Sequence, residues 1–92
     1  MSEITIRRKH GKTPADARAS AEHMAAELKE EFDLKYLWDG DVLRFKRSGL
    51  AGELVLDGEE VALRIQLGFL LSALKPAIER EVHKFFDENF AA

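Results

Sequence analysis

Leu34-Lys35-Tyr36-Leu37-Trp38-Asp39-Gly40-Asp41-Val42-Leu43-Arg44-Phe45 decides the reading of this chain. Leu34, Tyr36 and Trp38 share one face of an extended segment, and Leu43 and Phe45 share one face of the next, opposite Val42, Arg44 and Lys46. A period of two is the pattern of a strand with one buried side. Asp39-Gly40 between the two runs is a short hairpin signal. The stretch therefore predicts two antiparallel strands with one apolar face.

The same alternation continues outward in both directions. Ser48-Gly49 breaks the second strand, and Leu54 and Leu56 face inward on a third. Asp57-Gly58 marks another tight turn. Val61, Leu63, Ile65 and Leu67 then face inward, opposite Glu60, Ala62, Arg64 and Gln66. These four segments form an antiparallel meander with one wet face. Near the N-terminus, Ile4 and Ile6 oppose Thr5, Arg7 and Lys9, which predicts a fifth strand pairing at an edge beside Val61–Leu67.

Two segments carry helical spacing instead. Thr13-Pro14-Ala15-Asp16 is a helix start: a hydroxyl for a first-turn amide, a proline where its missing N–H is harmless, and an acid facing the positive end of the dipole. Ala17, Ala21, Met24, Leu28 and Phe32 follow as one narrow stripe. After Gly68, Leu71, Leu74, Ile78, Val82 and Phe85 form a second stripe, which predicts one helix over about 71–89. Pro76 leaves open a separate turn over 68–75.

The expected fold is thus α+β, a two-layer sandwich in the order β-α-β-β-β-β-α. Its antiparallel five-stranded sheet carries both helices on one face, because every strand and helix offers only one apolar side. The arrangement resembles a reduced helix-grip domain, in which a curved sheet wraps a C-terminal helix. Residues 1–92 form one domain, without repeats, linkers or low-complexity runs.

Composition narrows the function classes. The chain is 46% hydrophobic and 34% charged with a net charge of −3, which argues against wholesale disorder. It has no cysteine, so disulfides, thiolate metal sites and a cysteine nucleophile are excluded, and the composition suits a reducing cytosol. Met1-Ser2-Glu3-Ile4-Thr5 lacks the basic start and apolar core of a secretory signal, and no apolar run approaches the ~20 residues of a spanning helix.

Little in the sequence speaks for catalysis. His10, His23 and His83 fall in no metal-binding spacing; His23 with Glu27 and His83 with Asp87 read as ordinary contacts one helical turn apart. Ser2, Ser20, Ser48 and Ser72 lack a nucleophile-elbow context. Asp39, Asp41 and Asp57 belong to turns. We therefore expect no catalytic residue, cofactor or metal. Gly49-Leu50-Ala51-Gly52 spells GxxG, but between strands and without basic residues it reads as a turn or bulge. Arg7, Lys9, Arg44 and Lys46 reach the wet face, where Glu53 and Glu60 dilute them, so nucleic acid is a poor partner.

Aromatic residues are the more informative set. Tyr36, Trp38 and Phe45 lie on adjacent inward faces and are candidates to line a cleft between helices and sheet for a hydrophobic small molecule. Leu70, Phe86 and Phe90 fall off the main stripe of the last helix and are candidates for an exposed interaction surface. Edge strands or the end of the last helix are expected surfaces for a homodimer.

Tyr36-Leu37-Trp38-Asp39-Gly40-Asp41-Val42-Leu43-Arg44-Phe45, Arg47-Ser48-Gly49 and Leu67-Gly68-Phe69-Leu70-Leu71 together resemble the polyhydroxyalkanoic acid system family. The resemblance spans nearly the whole chain. It implies a cytoplasmic bacterial protein, associated with polyhydroxyalkanoate (PHA) storage granules through the granule surface, a granule-associated protein or an acyl-type ligand. It brings no catalytic residues with it.

Overall fold

A computed structural model describes residues 2–90. Along the chain run β1 (Ser2–Lys9), α1 (Pro14–Phe32), β2 (Lys35–Asp39), β3 (Val42–Arg47), β4 (Leu50–Asp57), β5 (Glu60–Leu67), α2 (Phe69–Ser72) and α3 (Lys75–Phe90). The sheet order is β1-β5-β4-β3-β2, antiparallel throughout, so the first strand does pair with the last. The helices pack on one face of this open sheet, as the one-sided strands require.

Register aligns the core. Ile4 lies opposite Ile65 and Ile6 opposite Leu63; Leu63 in turn opposes Leu54, which opposes Leu43. All are buried in a continuous row under the helices. Gly40, with φ +63°, is the first of the two residues linking β2 to β3, a position that favours glycine in tight hairpins. Gly52 has a different reason. A Cβ there would lie 2.6 Å from Cε2 of Phe45 and 2.7 Å from the Arg64 carbonyl oxygen. The Phe45 ring occupies the space a side chain would take on the opposing strand.

The start of α1 follows the sequence signal. The Asp16 N–H donates to Thr13 Oγ1 at 3.2 Å, and Pro14 occupies the first helical position. Ala17, Ala21, Met24, Ala25 and Leu28 are buried, and the small side chains let α1 pack closely on α3 and β4. Asp33 ends the helix in the left-handed region at φ +53°, and the Arg47 guanidinium donates to the Phe32 carbonyl at 2.9 Å.

The single helix expected over about 71–89 is instead two. Proline has no N–H for the carbonyl four residues back, and its ring clashes there, so a helix running through Ser72 cannot continue past Pro76 unchanged. The chain stops at Ser72 and restarts at Lys75, which puts Pro76 in the first turn of α3 where it is tolerated. Ser72 turns back: its hydroxyl donates to the Gly68 carbonyl at 2.9 Å rather than capping α3.

Candidate functional site

Between helices and sheet, Met24, Leu28, Leu43, Leu54, Leu63, Val82, Phe86 and Phe90 pack as one buried cluster. The expected cleft lined by Tyr36, Trp38 and Phe45 is not assembled there. Phe45 is buried over Gly52, while Tyr36 and Trp38 are half-buried on the edge strand. An open hollow of about 410 Å³ lies instead along β2, β3 and β4, where Tyr36, Phe45 and Gly52 meet Lys35, Leu37, Arg44, Lys46 and Ala51, the five residues of the side turned away from the helices. Trp38 does not line it; the Arg18 guanidinium covers its ring at 4.0 Å and donates to the Gly40 carbonyl at 3.1 Å. Partial burial, then the nearby Glu22 carboxylate, pushes the Tyr36 phenol above its ordinary range.

Phe86 and Phe90 are corrections to the sequence reading: both are core, with Phe86 0% exposed. Their surroundings explain it. On one flank, Asn89 donates to the Glu27 carboxylate of α1 at 2.7 Å and its side-chain oxygen meets the His23 ring at 2.6 Å. On the other, the Arg8 guanidinium lies 5.2 Å from the Phe86 ring and pairs with Asp87, while Phe90 stacks obliquely on His10. A helix in a corner between α1 and β1 buries a face wider than one stripe. Phe86 and Phe90, 5.2 Å apart, fill it.

The exposed apolar surface lies elsewhere. Phe69 is 85% exposed, Leu70 81% and Leu74 53%, all at α2 and its junction with α3. Leu70 lies at the kind of surface its place off the stripe predicts; Leu74 belongs to the predicted buried stripe and is lifted out by the break before α3. Phe69 was missed, although three apolar residues in succession cannot all bury in a single turn packed on one side.

This apex is firmly seated. The Gly68 N–H donates to the Gly49 carbonyl at 2.7 Å, and the Ser72 N–H returns to the Gly68 carbonyl at 2.9 Å. Leu71 points down onto Gly49, 3.3 Å from where a Cβ there would sit. The apex is thus tied to the end of β5 and to the β3–β4 turn, with Phe69, Leu70 and Leu74 turned to water.

The arginines of the opposite sheet face are paired, whereas Lys35 and Lys46 lie opposite each other without an ion pair among the described residues. Arg7 meets Glu60 at 3.4 Å, Arg64 meets Glu3 at 3.5 Å, and Arg44 lies 3.8 Å from Asp39 and 3.9 Å from Glu53. Register sets Glu53 against both Arg44 and Arg64, which dilutes the positive charge offered to phosphates. Among the described residues, no group of three or more histidine and carboxylate side chains is arranged to hold a metal ion. No helix among them is long and apolar enough to cross a membrane.

The one-sided antiparallel sheet, its filled core and its apolar apex define a small α+β domain. The chain belongs to the family described as "Putative polyhydroxyalkanoic acid system protein", whose model matches residues 4–90. That match runs from β1 to the end of α3 and includes the apex. No curated protein and no solved structure matches the chain significantly.

Proposed function

We propose that this protein is a non-enzymatic accessory of the PHA system that attaches to the hydrophobic surface of a storage granule through the α2 apex. The observation that carries the reading is the clustering of Phe69, Leu70 and Leu74 in water within six residues of chain. Family membership supplies the setting, and a polyester body in water supplies a surface that such side chains would leave water to meet. Fully burying a Leu or Phe side chain contributes about 1.5–3 kcal/mol, so three partly exposed ones contribute roughly 5 kcal/mol. That suits reversible attachment in the cytoplasm rather than permanent insertion.

Co-sedimentation with amorphous poly(3-hydroxybutyrate) particles tests it. The double variant Phe69→Ser/Leu70→Ser should partition at least about tenfold less than the wild type while unfolding at the same temperature. Equal partitioning of the two proteins removes the apex from the function.

A second reading rests on the hollow beside Tyr36 and Phe45, whose roughly 410 Å³ could take a short acyl-type ligand. Trp38 is the only tryptophan and sits on the same strand. Titration with 3-hydroxyacyl compounds followed by its fluorescence tests that reading; a flat response to millimolar ligand eliminates it.

A further inference from the structure

We propose that the outer edge of β2 pairs with the same edge of a second copy of this chain, giving a two-fold dimer with one continuous sheet. β2 ends the sheet, so one side of its backbone has no strand partner. Edge strands left in that state are templates for another strand. The side chains of β2 select which strand.

Lys35, Leu37 and Asp39 face away from the helices, and Tyr36 and Trp38 face toward them. Antiparallel pairing of two copies about an axis through Leu37 sets Leu37 against the partner's Leu37. It also sets Lys35 against the partner's Asp39, and Asp39 against the partner's Lys35. On the other face, Tyr36 meets the partner's Trp38 and Trp38 meets the partner's Tyr36. Every position thus has a complement in this register: an apolar pair on the axis, two opposite-charge pairs and two aromatic pairs, the cross-strand combinations that stabilise antiparallel sheets.

Other features of the chain point the same way. Leu37 is 62% exposed, the only large apolar side chain outside the apex so open to water among the described residues. Lys35 makes no ion pair within its own chain among those residues, and Asp39 reaches only Arg44, at 3.8 Å. Tyr36 and Trp38 are half-buried aromatics of the core margin, with surface left to cover.

The other free edge is less suited. On β1, Glu3 and Arg7 are already paired to Arg64 and Glu60 of the same chain, and no large apolar side chain is exposed. A two-fold perpendicular to the sheet keeps the helices of both copies on one face. The contact is isologous and closes at two chains. Two five-residue strands make a small interface, so the dissociation constant should fall in the range of roughly ten to several hundred micromolar.

Sedimentation velocity of the full chain, from about 5 µM to about 1 mM, tests the pairing. The expected result is a concentration-dependent shift from 10.4 kDa to twice that mass and no further. Leu37→Lys should weaken association at least about 30-fold, as like charges meet on the axis. Lys35→Asp and Asp39→Lys should each weaken it, and the double variant Lys35→Asp/Asp39→Lys should restore it, because the swap re-pairs both ends. All three side-chain changes lie at the solvent-facing edge, and circular dichroism will report whether the fold is kept. Because the chain has no cysteine, Leu37→Cys supplies a lone thiol that should oxidise to a disulfide-linked dimer far faster than Leu70→Cys.

A monomer throughout that range overturns the proposal. So does a dimer indifferent to Leu37→Lys, failure of the double swap to rescue, or growth into open chains. A failed pairing leaves granule attachment through Phe69 and Leu70 standing, since each copy carries its own apex.

Discussion

Replacing Phe86 by alanine separates two opposite readings of the last helix. If Phe86 served an exposed surface, as its place off the stripe suggests, its loss would leave stability almost unchanged. In the structure it is fully buried, 5.2 Å from Phe90, with the Arg8 guanidinium 5.2 Å from its ring. Removing a buried phenylalanine costs about 3–5 kcal/mol in transfer and cavity terms. The lost aromatic pair and cation–π contact place this site toward the upper half of that range. For a chain of this length, each kcal/mol moves the melting temperature by about 4–8 °C, so a loss of about 4 kcal/mol lowers it by roughly 20 °C or more. Urea unfolding followed by circular dichroism measures the change, with an unchanged m-value showing that the unfolded state is comparable. Phe86→Leu should recover most of the loss and leave a deficit of about 1–2 kcal/mol, since apolar volume returns without the ring. Phe69→Ser, at the 85% exposed apex position, should stay within about 0.5 kcal/mol of wild type. A Phe86→Ala variant as stable as Phe69→Ser would refute the packing of α3 in the corner between α1 and β1.

Gly52→Ala should destabilise by about 1–3 kcal/mol, because the new Cβ meets the Phe45 ring at 2.6 Å and a backbone carbonyl at 2.7 Å; Gly52→Ala/Phe45→Leu, measured in the same urea assay, should regain part of that. Tyr36 gives a pH effect of defined sign. Its phenol is raised in the fold by burial and by Glu22, so the fold favours the protonated form. That stability is fully present below the unfolded phenol value of about 10 and is lost as pH rises through the higher folded value. Thermal unfolding should therefore fall less steeply above about pH 10 in Tyr36→Phe than in the wild type; identical slopes would place Tyr36 in an ordinary aqueous setting.

Apex and edge strand combine in one consequence. A dimer joined through β2 carries two copies of Phe69, Leu70 and Leu74. When two weak contacts can engage one particle together, the second forms at the effective concentration set by the first. Variants that break the dimer should then reduce granule retention without touching the apex, a coupling that joint measurement of mass and co-sedimentation reveals.

Much of this architecture is local information. The alternation of Ile4 with Ile6, of Leu43 with Phe45 and of Val61 through Leu67 assigns each strand its inner face, because successive side chains of an extended chain point to opposite sides. Thr13 and Pro14 set the start of α1, and the glycine of Asp39-Gly40 opens the two-residue turn Gly40-Asp41, through contacts spanning only a few residues. One-sided strands and helices then leave a single economical layering, which is why the sheet edge formed by β1 against β5 was legible as well.

What the sequence left undecided depends on neighbours far along the chain. Phe86 and Phe90 are buried because α3 is flanked by β1 on one side and α1 on the other, a width of burial no stripe can announce. Leu74 is exposed because Pro76 forces a break whose position depends on how Leu71 and Ser72 seat against Gly49 and Gly68. Charges of the open sheet face became pairs only when register set Arg7 beside Glu60 and Arg44 beside Glu53. Periodicity fixes the direction in which a side chain leaves its own element; only packing between elements distant in sequence determines what it meets there.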